Sequence, residues 1–396
     1  MQPLVARTVA GVGASVRALR LHGSLMAIVD YVADQTLPDG EAPGPVVDYY
    51  DQGASVWEPL GRWHGRQADA DGLVEVRRLE LSRMVAGLSP VTGEPEGRVA
   101  RQGAVVAWDL TFTVPKSISV WWALADRSTR TAIVDAVDIA AAVTVDLADR
   151  HGAHTRVGGR DSVRVVDAAG LRAAQFRQVT SRAGDPHLHV HTLIGTRVWA
   201  SDGSWHALDA RWLVAHQQAL GRVFEHQLAV ELSRGLRVRL DWDTGHPELP
   251  GVPGVLVEAW SQRTVQIDGA LGEAMREFTA RHGRSPTRLE RAGLHQQAWE
   301  RTRTRKSGLP PLGELERQWR TEASVFGVES LSPSMSRTDA NLDVDDGVLL
   351  ADGFTLIEGE RSTWTRMQLL DALARTAASH GVALDVDRLE VLPIGR

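Results

Sequence analysis

The segment FRQVTSRAGDPHLHVHTLI, residues 176–194, sets His187, His189 and His191 on alternate positions of an apolar, strand-forming run. Side chains of a strand alternate between faces, so the three imidazoles project to one side. Neutral imidazole is the commonest protein ligand for divalent transition metals, and histidines at i and i+2 can converge on one ion. Residues four apart on a strand are separated by about 13 Å at roughly 3.3 Å per residue, so two of the three chelate readily and a further ligand is expected from a neighbouring strand. The stretch TSRAGDP has the Gly, Asp and Pro chemistry of a hairpin loop. Folding about Ala183 brings Gln178 level with the histidines, which makes it a candidate ligand.

Other residue types narrow the chemistry. The chain has no cysteine, which excludes disulfides and thiolate metal sites and leaves only N and O donors. That set suits Mg or Mn, with Zn or Ni as further options. The chain contains three tyrosines, Tyr31, Tyr49 and Tyr50. A tyrosine beside a phosphodiester whose charge a metal neutralises can attack phosphorus and keep the product as a phosphotyrosine. Adjacent tyrosines serve as packing residues equally well. No G-x-x-x-x-G-K-[ST] occurs, since neither Lys116 nor Lys306 has the glycine context, so no P-loop ATPase is expected here.

The 396 residues suffice for a large domain plus a smaller one, and 43% hydrophobic residues is typical of globular proteins. No run approaches the roughly 18 apolar residues of a membrane span and no secretory signal opens the chain, so a cytoplasmic protein without membrane insertion is expected. The formal charge of −6 is unevenly spread. Residues 281–306 carry eight arginines and lysines against two glutamates and suit phosphates, whereas residues 339–396 carry eleven acidic residues against five arginines.

These candidates need elements to hold them. VRALRL reads as a strand, and SLMAIVDYVADQ as a short helix bearing Tyr31. AVVAWDLTFTV (104–114) alternates clearly, with Asp109, Thr111 and Thr113 on one face. KSISVWWALAD begins a helix in which Trp121 and Trp122 face the core, and residues 128–150 form a long Ala-rich helix ending before Gly152. VRVV, AAQFRQV and HLHVHTLIGTRVW are strands. A helix of about seven turns, LDARWLVAHQQALGRVFEHQLAVELSRG, is capped by Gly235, and RVRLDW adds a last strand. Beyond about residue 265 the pattern is helical, then a polar acidic linker, LSPSMSRTDANLDVDDG, leads to a closing helix in RSTWTRMQLLDALARTAASHG. Helices on a mostly antiparallel sheet describe an α+β fold with a helical C-terminal extension.

WDLTFTVPKSISVWWAL (108–124), FRQVTSRAGDPHLHVHTLI, DYY (48–50) followed by GRWHG, and ELPGVPGVLVEAWSQR (248–263) together resemble conjugative relaxases of the TrwC/TraI (MobF) type, in one order and at family-like spacing over residues 16–306. Later segments, HGRSPTRLERAGLHQQAWERTRTRK and RSTWTRMQLL, resemble those that lead toward a helicase domain in actinobacterial-type members. The resemblance implies an HUH (histidine–hydrophobe–histidine) nuclease over residues 1–306, with residues 307–396 a helical and linker segment. It implies metal-dependent nicking of one strand at an origin of transfer, with the 5′ phosphate kept on tyrosine. It also implies relaxosome accessory and coupling proteins as partners beside single-stranded DNA.

Matched residue by residue, the resemblance puts His189 and His191 on the histidine pair, Asp109 on the acidic residue before TF-x-x-PKS and Lys116 on its lysine. Tyr31 matches the first catalytic tyrosine, and Tyr49 and Tyr50 the second pair. Lys116 and Arg182 are the candidate phosphate contacts. The chain departs from the pattern at one metal ligand: Gln178 stands where the family has histidine, and His187 where it has glutamine. Either His187 supplies the imidazole after a bend of the strand, or Gln178 ligates through its amide oxygen, or metal binding is impaired and the domain binds DNA without cutting it. The histidine row alone also fits a metal-dependent hydrolase of small molecules, which would need no tyrosine.

Overall fold

The computed structural model describes residues 13–20, 57–98, 101, 103–158, 162–302, 310–331 and 344–392. Tyr31, Tyr49 and Tyr50, the helix expected around Tyr31 and most of the acidic linker lie outside the described residues.

Five described strands form one antiparallel sheet in the order β1–β3–β7–β6–β2. They are β1 (Gly13–Arg20), β2 (Arg62–His64), β3 (Val105–Thr113), β6 (Ala173–Thr180) and β7 (Pro186–Gly195). Two short ribbons, β4 (His154–Val157) with β5 (Arg164–Asp167) and β8 (Arg197–Trp199) with β9 (Trp205–Ala207), lie outside it.

The two faces of the sheet carry different residues. On one, Leu110, Phe112, Val190, Ile194, Ala173 and Val179 enter the main core. Over this face lie the short helix α3 (Lys116–Leu124) and two 26-residue helices, α4 (Arg127–Gly152) and α5 (Arg211–Leu236). Asp126 starts α4 by accepting from the Thr129 amide at 2.9 Å, which satisfies one of the donors a helix start leaves open. The opposite face is divided. Leu19, Trp63, Ala107, Ala174, Phe176 and Leu193 meet α1 (Arg66–Ala70) and α2 (Arg78–Ala86) in a second apolar cluster. The remainder of that face holds the histidines and Asp109.

After α6 (Gly254–Ala259) come α7 (Gln262–His282) and α8 (Arg288–Arg301), which form a hairpin with its own small core of Ala270, Leu271 and Ala298. The next helix, α9 (Leu312–Val325), returns to the main core through Leu315, Trp319 and Ala323. So do α10 (Asp346–Glu360), α11 (Arg366–Ser379) and α12 (Val386–Val391), which pack behind α5. Among the described residues no helix is long and apolar enough to cross a membrane.

Three expectations change. Gly235 does not cap α5: the helix runs to Leu236, and Arg237 takes the left-handed conformation at φ 54°. RVRLDW is no strand. Its Val238, Leu240 and Trp242 are buried in alternation, as the pattern promised, but the segment borders no sheet edge and pairs only through the single bridge Asp241↔Glu248. The stretch before RSTWTRMQLL also forms a full helix, α10, capped by Asp345 through the Gly347 amide at 2.8 Å. Apolar residues at Leu349, Leu350, Phe354, Leu356 and Ile357 hid the helical period there.

Two glycines of α5 give a test of the packing. A Cβ on Gly221 would stand 2.4 Å from the Ala14 amide nitrogen of β1, whereas one on Gly235 meets nothing within 4 Å. Gly221→Ala is expected to cost about 1–3 kcal/mol. Gly235→Ala is expected to be neutral or to stabilise by up to about 1 kcal/mol. Urea unfolding of both variants checks the contrast.

Candidate active site

The site is built by strand register. In the β3–β7 ladder Thr111 stands opposite His191 and Thr113 opposite His189, while β6 places Gln178 opposite His189. Paired residues of antiparallel strands point to the same face. His189, His191, Gln178, Thr111 and Asp109 therefore share one surface, as the sequence indicated. Arg17 joins them from β1, where it pairs with Asp109.

Hydrogen bonds orient the two central imidazoles. Asp109 Oδ1 lies 2.9 Å from His191 Nδ1, and His187 O lies 2.9 Å from His189 Nδ1. A carboxylate and a carbonyl can only accept, so each Nδ1 carries the proton and each ring keeps its lone pair on Nε2. This is the arrangement by which an outer partner fixes the tautomer of a metal-ligating histidine. Thr111 Oγ1 donates to Asp109 Oδ1 at 3.0 Å, and Arg17 reaches Asp109 Oδ2 at 3.2 Å. Asp109 is only 2% exposed. Burial by itself raises its carboxyl pKa, but its contacts with His191, Arg17 and Thr111 outweigh that and hold it below the ordinary carboxylate value. Arg17 and Thr111 were missed as site residues. Their alternation was readable, but only the register shows which strand they face.

The imidazoles stand as a row, with ring centroids 4.8 Å apart for His187 and His189 and 5.1 Å for His189 and His191. Among the described residues no three histidine or carboxylate side chains are already gathered around one point. The donor chemistry nevertheless fits a divalent ion: imidazole nitrogens on His189 and His191, with His187 and Gln178 both adjacent to His189 as candidates for a third donor.

His187 shares the face of His189 by strand alternation, but the strand is irregular at this point. Pairing passes from Gln178↔His189 to Thr180↔Pro186, so two steps along β6 match three along β7. His187 and Leu188 together oppose Val179, forming a β-bulge, a device that bends a strand and re-aims its side chains. The turn beyond it, residues 181–185, closes with Ser181 N donating to Asp185 O at 2.9 Å and with Gly184 at φ +84°.

Lys116, expected as a phosphate contact, donates to Pro186 O at 2.6 Å from the first turn of α3 and so braces the hairpin. Burial lowers its pKa to about 8, opposed by the Asp185 charge. Arg182 sits half-buried at the turn. Trp121 and Trp122 are core residues, 3% and 0% exposed.

With this geometry in place, the family comparison is decisive: residues 26–326 match the TrwC relaxase family. The chain belongs to the TrwC relaxase family. The multifunctional conjugation protein TraI of Escherichia coli K12 is 31% identical over 230 residues, covering 54% of this chain and 12% of TraI, so the chain spans about an eighth of that relative's length. A second Escherichia coli TraI is 30% identical over the same span. Among solved structures, the conjugative relaxase TrwC with oriT DNA in its metal-bound form superposes with a TM-score of 0.61 at 27% identity, over 80% of this chain and 99% of that one. A copper-bound TrwC–oriT complex gives the same values. TrwC with a 27-mer comprising the recognition hairpin and cleavage site gives a TM-score of 0.59 at 26% identity, again over 80% and 99% of the two chains. The α+β fold expected from the sequence is thus that of TrwC relaxases.

The lowered Lys116 pKa has a definite sign. The folded chain releases this proton near pH 8, whereas the unfolded chain holds it to the ordinary lysine value of 10.5. In that window the unfolded state binds more protons, so wild type gains stability as pH rises. Urea titrations at stepped pH should show the gain in wild type and not in Lys116→Met.

Proposed function

We propose that this chain is a relaxase that nicks and rejoins one strand of DNA at an origin of transfer through a 5′-phosphotyrosine intermediate. The observation that carries the reading is the shared sheet face of Asp109, His191, His189 and Gln178 in a chain of the TrwC relaxase family.

His189 and His191 would hold a divalent metal, Mg or Mn by the chemistry of the reaction and Zn or Ni by that of imidazole, with His187 or Gln178 as the third donor. Such an ion, when bound, draws charge from the non-bridging oxygens of the scissile phosphate. The chain's residues do the rest. Tyr31 supplies the phenol oxygen that bonds to phosphorus, the bond to the 3′ oxygen breaks, and that oxygen leaves as a hydroxyl after taking a proton. Tyr49 and Tyr50 serve the reverse or second transfer. Asp109 acts through His191: its oxygens are engaged by His191, Thr111 and Arg17 and its carboxyl is held low, which makes it a poor base and a good orienting group. The basic segment 281–306 and Arg182 would follow the phosphates of the single strand.

Gln178 supports a second reading, a domain that recognises the origin without cutting it, because an amide oxygen replaces an imidazole at the place the family's first metal histidine occupies. A small-molecule hydrolase has no comparable support, since family membership accounts for the histidine row.

The test is a denaturing-gel adduct assay with single-stranded oligonucleotides tiled from the flanking replicon, with Mn or Mg. A metal-dependent adduct is expected, mapping to Tyr31 and lost in Tyr31→Phe. Asp109→Asn should lower the rate by about 10–100-fold through His191. Tight binding of one oligonucleotide with no adduct on any tyrosine would replace this reading by the recognition domain, and Gln178→His should then switch cleavage on.

A further inference from the structure

The β3 ladder ends at Thr113↔His189, so no strand pairing with β3 fixes β7 at His187. Beside the bond from Val114 N to Leu188 O at 3.1 Å and the pairing of Thr180 with Pro186, that end of β7 is held by residues distant in sequence. From α3, Lys116 donates to Pro186 O at 2.6 Å and Ser119 Oγ accepts from Leu188 N at 3.1 Å. From α7, Gln262 donates to the Asp185 carboxylate twice, through its main-chain N at 3.1 Å and its side-chain Nε2 at 3.0 Å. From α9, Trp319 Nε1 donates to Gly184 O at 2.9 Å. Asp185 is 2% exposed and Trp319 1% exposed.

Asp185 is the centre of this arrangement. The start of α7 has no capping side chain of its own, because Ser261 makes no cap hydrogen bond. Asp185 supplies the cap from another element, accepting from the first main-chain N–H of the helix where its dipole favours a negative charge. Ser181 Oγ donates to the same carboxylate at 3.3 Å and accepts from Asp185 N at 3.2 Å, so turn and cap are one unit. His187 lies two residues beyond, inside the bulge.

We propose that Asp185, capped onto α7 through Gln262, is a positioning residue that anchors the bulged end of β7 and so holds the His187 imidazole beside His189 as the third metal donor, in place of the amide of Gln178. The proposal rests on the metal reading above and adds a cause: the helical extension, more than seventy positions downstream, determines which residue completes the site. A hairpin without this clamp would leave the bulged end of β7, and the His187 imidazole it carries, free to shift against His189.

Two measurements test it. In metal-free protein, histidine-ring NMR should show the His187 signals displaced in Asp185→Asn and in Gln262→Ala, with His191 unmoved because Asp109 still holds it. Calorimetric titration with Mn(II) or Ni(II) should show affinity about tenfold weaker in Asp185→Asn, the size expected for the loss of a group that orients a ligand. In a His187→Ala background Asp185→Asn should cause no further loss. If Asp185→Asn fails to fold, Gln262→Ala and Trp319→Phe, which each remove one donor, carry the comparison. His187 signals unmoved in these variants, or an affinity loss that is the same with and without His187, would overturn the proposal. Wild type that takes up neither metal would instead overturn the metal reading, while the ring signals still decide whether Asp185 positions His187.

Discussion

The register of β3 against β7 and β6 is the constraint on which the rest of the site depends. A strand has a side-chain period of two, so a slip of one residue would turn His189 and His191 into the main core and Val190 out of it. Both faces oppose that slip. Leu110, Phe112, Val190 and Ile194 are needed against α4 and α5, while Asp109 and His191 bond each other across the strands on the far side. The polar row is thus held by apolar packing it does not touch.

The hairpin beyond the sheet depends on a different principle, the pairing of buried charges. Arg130 illustrates it at 4% exposure: its guanidinium lies 4.4 Å from the Trp57 ring centroid and 4.1 Å from that of Trp122, and it donates to Glu316 at 2.5 Å. Trp122 in turn meets Trp319 edge-on at 6.2 Å. Arg177, on β6, donates to Trp57 O at 3.0 Å and pairs with Asp138. Charges taken out of water here are all paired or stacked, and the pairs cross from the sheet to α4 and α9. Rigidity at the hairpin comes from this lattice of partners.

Much of this was legible in the residues. The alternation of AVVAWDLTFTV gave the face of Asp109, and the GDP turn brought Gln178 level with the histidine run, because both are local consequences of strand geometry and turn chemistry. A bulge leaves no mark in residue type, so the shift between Gln178 and Thr180 shows only in the register. Arg17 and Thr111 escaped notice because contacts between strands depend on register. RVRLDW misled for a related reason: alternation records burial on one side, and a strand also needs a neighbour. The closeness of Lys116 to Pro186 and Asp185, seventy positions on, likewise has no local signal.

His226 of α5 joins regions that family membership would separate. Its Nε2 donates to Ala374 O at 2.9 Å and its Nδ1 accepts from Leu384 N at 3.2 Å, so the neutral ring stands in for a peptide unit between α5 and the α11–α12 turn. Burial keeps it uncharged by lowering its pKa to about 4. Gln227 beside it accepts from Val386 N at 3.0 Å. The family match stops at residue 326, yet these partners lie past residue 370. Anyone dividing this polypeptide for separate study at the edge of the family match would strip α5 of its outer layer, leaving a hydrated imidazole and bare leucines on the helix that backs the five-stranded sheet.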